Sequence, residues 1–196
     1  MKRICVLAGI VMAIVITGIM VDQKKMRMQE ELAKEVFRFH VLANSDTKED
    51  QELKMKVKEG VLAYMKTKLP QSDSVETTKA WARENTDAIA ATAQGIIREE
   101  GYHYPVRAEV TVCHFPDKSY GDVTFPAGKY EALRIEIGAA EGQNWWCVLY
   151  PNLCFIDAVH AVVPNTGKKE LKRVLEEDTY DMVTATSRFR VGWFFF

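Results

Sequence analysis

Catalytic and nucleotide-binding signatures are missing from this chain of 196 residues. It has no GxxxxGK[ST], no HExxH, no GxSxG and no paired CxxC, which removes the P-loop, the zinc-protease helix, the hydrolase elbow and the zinc ribbon. An excess of one charge is missing too. Its 26 Lys and Arg stand against 27 Asp and Glu, a formal net charge of −1, so nucleic acid and other polyanions are not expected partners. Histidine and cysteine are scarce, at four each. Cys113 and His114 are sequence neighbours, but a strand would point them to opposite faces, so they make no nucleophile–base pair there. Cys147 or Cys154 with His40 or His160 carries no catalytic signature. The same two cysteines with His160 give three metal ligands at loose spacing, a weak pattern. The carboxylate pairs Asp46/Asp50 and Glu131/Glu136 read as helix-capping and surface groups, because acid–base work needs convergence in a cleft. No catalytic residue, metal or cofactor is expected.

What is present starts with Lys2 and Arg3, followed by an uncharged run from Ile4 to Val21. At about 1.5 Å per residue this run reaches roughly 27 Å, just under a bilayer core. It is longer than most signal-peptide cores, and no clean A-x-A cleavage site follows it. Residues 1–28 therefore read as a signal peptide or a membrane anchor, with 4–21 as its apolar part. Residues 29–35 read as a linker, and residues 36–196 as a single exported α+β domain.

Hydrophobic periodicity organises that domain. Val36 to Leu42 alternates as a strand, with Phe37, Phe39 and Val41 on one face and Arg38 and His40 on the other. Thr47 with Asp50, or Asp46 with Glu49, fits a capping pattern for a helix reaching about Lys68, with an apolar stripe of Leu53, Val57, Val61, Tyr64 and Met65. A second helix is expected over Val75 to Glu100, stopped by Gly101. From Tyr104 the period changes to two. Val106, Ala108, Val110 and Val112 alternate with Arg107, Glu109 and Thr111. Leu133, Ile135 and Ile137 alternate with Arg134 and Glu136. Phe115-Pro-Asp117, Ser119 to Asp122 and Phe125 to Gly128 read as turns, and Val163 to Gly167 as a linker. A charged helix over Lys168 to Asp178 and a strand carrying Phe189, Val191 and Trp193 close the chain (residues 168–196). The pattern predicts a two-layer α+β domain, a mainly antiparallel sheet packed by two long helices, after the N-terminal hydrophobic helix.

The densest stretch is Glu141 to Phe155, with two adjacent tryptophans, two cysteines and a Tyr-Pro. On a strand Trp145 and Trp146 face opposite ways, so one core cannot take both. One of them is a candidate for contact with something outside the domain. If the domain is exported, Cys147 and Cys154 are near enough to form a disulfide. Direct opposition requires either Tyr150-Pro151 as the centre of a tight turn with a cis bond, or a wider loop from Leu149 to Asn152. Closing so short a loop stabilises by about 2–3 kcal/mol on the chain-entropy estimate and would fix how the tryptophans are presented.

Three segments carry a resemblance. Phe37-Arg-Phe-His-Val-Leu-Ala-Asn-Ser-Asp46 with Asp50-Gln51, Tyr120 to Ala132, and Gly142 to Phe155 are similar to the stage II sporulation protein R family over about Val36 to Asp157. The resemblance is loose beyond Asp157, and the N-terminal segment lacks a convincing cleavage site. It implies a protein exported from the forespore into the space between the two membranes, either secreted or anchored by residues 4–21. It also implies a signal that triggers a membrane-embedded aspartic protease, which processes the sigma-E precursor in the mother cell, and not an enzyme. Trp145 and Trp146 are the expected contact anchors. Asn44, Ser45 and Asp46 form a second candidate surface. The competing class is an extracytoplasmic hydrolase using a cysteine or paired carboxylates.

Overall fold

The computed structural model describes residues 2–70, 74–154, 163 and 165–185, with side chains from residue 11 to 184. In chain order the elements are α1 (Lys2–Glu35), β1 (Phe37–Leu42), α2 (Lys48–Lys68), α3 (Val75–Glu84), α4 (Thr86–Glu99), β2 (Val106–Phe115), β3 (Lys118–Tyr120), β4 (Val123–Phe125), β5 (Gly128–Ile137), β6 (Asn144–Tyr150), α5 (Asn165–Val174) and α6 (Glu177–Ala185). The expected final strand and His160 lie outside the described residues.

The main sheet runs β2-β5-β1-β6, and β3 pairs β4 in a separate ribbon. β2 with β5 and β1 with β6 are antiparallel, but β1 with β5 is parallel. The sheet is thus mixed, where a mainly antiparallel one was expected. The order explains this. β5 leaves one side of β1 and β6 returns on the other side, so residues 138–143 must cross over the end of β1.

Both faces of the sheet are covered, which corrects the two-layer expectation. On the helix side, Phe37, Phe39 and Val41 meet Leu133, Ile135 and Ile137, together with Val57 and Val61 of α2 and Ile89, Ala93 and Ile97 of α4. On the opposite side Phe115, Tyr130, Ala132 and Val148 pack with Leu32 of α1, Val123 and Phe125 of β4, Leu171 of α5 and Val183 of α6. Each fully buried aliphatic or aromatic side chain contributes about 1.5–3 kcal/mol of transfer free energy.

The expected second helix is two helices. Asn85, at φ −111° and ψ 12°, separates α3 from α4. Its side-chain amide donates to the Trp81 carbonyl at 2.8 Å. Asn is prone to such side-chain-to-backbone competition, and here it turns the chain between two apolar faces. The expected helix at 168–178 is also divided, α5 beginning inside the expected linker at Asn165 and α6 following at Glu177. The turn segments after Phe115 form the β3–β4 ribbon, closed at Gly121-Asp122.

α1 is continuous through residues 29–35, and Leu32 and Val36 are fully buried. A buried lysine, Lys79, donates to the Lys34 carbonyl at 3.4 Å, placing a cation at the α1 C-terminus. No helix among the described residues is long and apolar enough to cross a membrane. Truncation of Leu32 to Ala should cost about 2–5 kcal/mol, the range for a core leucine. Urea unfolding measures it, and a loss under about 0.5 kcal/mol would show that α1 is not part of the folded core.

Candidate interaction surface

β1 positions the polar groups of this domain. Its alternation sends Phe37, Phe39 and Val41 to the helix side and Arg38 and His40 to the other side. Arg38 is fully buried. Its Nε donates to the Cys147 carbonyl at 3.0 Å and its Nη2 to the Tyr120 hydroxyl at 3.1 Å. The guanidinium carbon lies 4.3 Å from the Phe115 ring centre, 5.0 Å from Tyr130, 5.1 Å from Phe125 and 5.9 Å from Tyr120. Its Nη1 has no partner among the described residues. Burial pushes the Arg38 pKa below its ordinary value, opposed by the two tyrosines. The charge is held by ring faces and two hydrogen bonds, with no carboxylate ion-paired to it among the described residues. This box went unrecognised in the sequence, although its four aromatics recur every fifth residue at 115, 120, 125 and 130.

His40 is 4 % exposed. It stacks on Trp146 at 3.8 Å between centroids. Burial, helped by Arg134 and Arg38 and opposed by Asn144, lowers its pKa to about 4. Cys113 Sγ lies 3.9 Å from His40 Nδ1, a neighbour no sequence spacing suggested. Burial raises the Cys113 pKa, opposed by Arg134 and Arg38, and so favours the thiol over the nucleophilic thiolate.

The tryptophans face opposite ways, and each has its own apolar layer. Trp145 meets Phe39 edge-on at 5.6 Å on the helix side, with Lys58 Nζ 5.3 Å from its ring. Trp146 packs against Phe115 at 4.5 Å on the other side. Both are half-buried, so two cores share what one could not take, and neither ring is fully surrendered to solvent. Cys147 and Cys154 are joined by a disulfide, with Cα atoms 5.6 Å apart. The Tyr150–Pro151 bond is cis, and the Cys154 amide donates to the Val148 carbonyl at 3.0 Å. The bridge takes both cysteines out of the nucleophile and metal-ligand readings.

Asn44, Ser45 and Asp46 form a clamp with the crossing loop. Asn44 Nδ2 donates to Asp50 Oδ2 at 2.8 Å, and its Oδ1 accepts from the Ala139 amide at 2.9 Å. Ser45 donates to the same Asp50 carboxylate. Asp46 Oδ1 accepts from the Gln143 amide at 2.6 Å. The backbone adds Gly142 N to Ala43 O at 3.0 Å. Lys54 reaches from α2 to the Gln143 carbonyl at 2.9 Å. The clamp leaves no room for Cβ atoms: one at Gly138, φ +60°, would strike the Asn44 side chain, and one at Gly142 the Ser45 carbonyl. Burial would raise the Asp50 pKa, but hydrogen bonds from Ser45, Asn44, Tyr104 and Thr47 outweigh it and hold the carboxyl low. The helix cap itself is Thr47, whose hydroxyl accepts from the Asp50 amide. Glu131 is engaged by Arg83 and Lys79, and Glu136 by Arg134.

The strand register brings the two candidate surfaces together, since Leu42 pairs Asn144, Val41 pairs Trp145 and His40 pairs Trp146. Asn44 to Asp46 and the tryptophans are therefore one continuous end of the sheet. The three sequence segments quoted above meet there and at Arg38. A family model described as stage II sporulation protein R matches residues 33–160. The chain belongs to the stage II sporulation protein R family. It is 29 % identical over 185 residues to Stage II sporulation protein R of Bacillus subtilis (strain 168), covering 90 % of this chain and 83 % of that protein. No solved structure matches.

Replacing Arg38 with Ala should destabilise this family member by about 3–5 kcal/mol, the range for a large buried side chain. Arg38→Met should cost distinctly less, because the shape is kept and no buried anion is left behind. Chemical denaturation of the two variants checks the order, and equal losses would mean that the charge itself is required. For His40, both states are neutral above pH 6.5. Between 6.5 and about 4 only the unfolded chain takes the proton, so stability is lost as the pH is lowered through that window and levels off below it. The total is about 3 kcal/mol at about 1.36 kcal/mol per unit. His40→Phe should flatten that part of the stability–pH curve, and an unchanged slope would assign it to other groups.

Proposed function

We propose that this chain is an exported intercellular signal of sporulation that engages a membrane-embedded aspartic protease. That protease then processes the sigma-E precursor in the mother cell. Family membership supports the sporulation role. The observation the contact surface rests on is the strand register, which brings Trp145 and Trp146, on opposite faces of β6, to the end of the sheet that Asn44, Ser45 and Asp46 close. The disulfide, the Arg38 box and the loop clamp hold that end in one conformation, so little ordering cost remains at binding. Half-buried tryptophans on a rigid rim suit the role of interface anchors.

Residues 4–21 are proposed to place the protein in or across the forespore membrane. Eight large apolar side chains between Val11 and Val21 are 48–66 % exposed, a state suited to lipid and costly in water. Because α1 runs unbroken into the folded domain, an anchored form would carry the domain directly on its membrane helix. A form cleaved ahead of residue 29 would keep Leu32 and Val36 in the core.

Co-expression of this chain with the protease and the sigma-E precursor, without other sporulation proteins, should yield the processed factor. Trp145→Ala or Trp146→Ala should reduce processing at least tenfold while leaving an exported, protease-resistant domain. Full processing by both variants would overturn the surface assignment, and no processing by the parent chain would overturn the function.

A further inference from the structure

β2 ends the sheet on the side away from β6, and among the described residues it pairs only with β5. It is ten residues long, Val106 to Phe115. It has no proline and no lysine, its charges are the complementary pair Arg107 and Glu109, and Val112 stands 62 % exposed on it. We propose that the β2 edge is a self-association surface for a second copy of this chain, joined antiparallel about a two-fold axis at Ala108.

Charge complementarity sets the partner and the register. On the face away from α4, Arg107 and Glu109 are two residues apart with 78 % and 45 % of their side chains exposed. An antiparallel pair centred on Ala108 sets each Arg107 opposite the second copy's Glu109. Sliding the pair by two residues in either direction sets Glu109 against Glu109, or Arg107 against Arg107. The charges behind the edge continue the pattern. Arg107 lies 3.9 Å from Glu136, and Glu109 lies 3.8 Å from Arg134. Across the junction each row then reads Arg134, Glu109, Arg107, Glu136, alternating in sign over four strands. On the other face the same register sets Val106 against Val110 and brings Tyr104 over the exposed Val112. An isologous interface must be complementary to itself, and this strand meets that condition.

Sedimentation of the full-length chain in detergent tests the proposal. A dimer is expected, weakened at least tenfold by Arg107→Glu or by Glu109→Arg alone. An equal mixture of the two variants should associate as strongly as the parent, since both unlike pairs return between the copies. Ala108→Cys should form a bridge between copies on mild oxidation, located by mass spectrometry. A monomer at every concentration would overturn the proposal. So would a dimer indifferent to Arg107→Glu, which would locate association on α1 or another edge, and so would a mixture that fails to recover.

Discussion

The buried guanidinium of Arg38 ties the domain together. It bonds the Cys147 carbonyl on β6 and the Tyr120 hydroxyl on the β3–β4 ribbon while lying among rings from β2, β4 and β5. A cation taken from water costs several kcal/mol unless something replaces the lost hydration. Four ring faces and two hydrogen bonds do this without a carboxylate, and they can do so only if all the contributing elements are in place. The cost therefore enforces one arrangement. A ribbon displaced from the sheet, or a β6 shifted in register, would leave the charge buried and unpaired. That makes the sheet face opposite α2 and α4 specific as well as apolar.

From this constraint follows the rigidity of the sheet end. β6 is held at Cys147 by Arg38 from one side and by the bridge to Cys154 from the other. Beyond Trp145 the chain enters a crossing loop whose amides are bonded by Asn44 and Asp46. Most polar atoms of Asn44, Ser45 and Asp46 are spent internally, so their contribution to any contact comes through the shape they impose. The tryptophans differ. Each has one side packed and one side open, the condition in which an aromatic ring adds binding area without losing its own support.

Periodicity made the framework legible. β1, α2, β2, β5 and β6 follow from alternation and from the Thr47 cap, and the opposite facing of Trp145 and Trp146 follows from strand geometry alone. The Cys147–Cys154 pairing was readable from spacing, and the cis turn was one of its two solutions. What failed did so for physical reasons. Local pattern carries no information on which strands become neighbours, so the parallel β1–β5 pairing was invisible. The break at Asn85 turns on a single side-chain bond to Trp81, which competes with a helical pattern that is otherwise continuous. The second layer was missed because its apolar residues come one or two at a time from α1, the ribbon, α5 and α6. Two covered faces then change the meaning of the tryptophan pair, since opposite facing no longer forces either ring out of the fold.

The cysteines and carboxylates of the domain are engaged within the fold. The disulfide occupies two of the three cysteines with described side chains, and the third, Cys113, sits where burial favours the thiol. The carboxylates that could have paired are tied to Arg83, Lys79 and Arg134 or to hydroxyl and amide donors. Among the described residues, these cysteines and carboxylates are each bridged, buried or ion-paired. Binding makes the opposite demand, for groups fixed in place with one face left open. Trp145 and Trp146 satisfy it on the rim of the sheet.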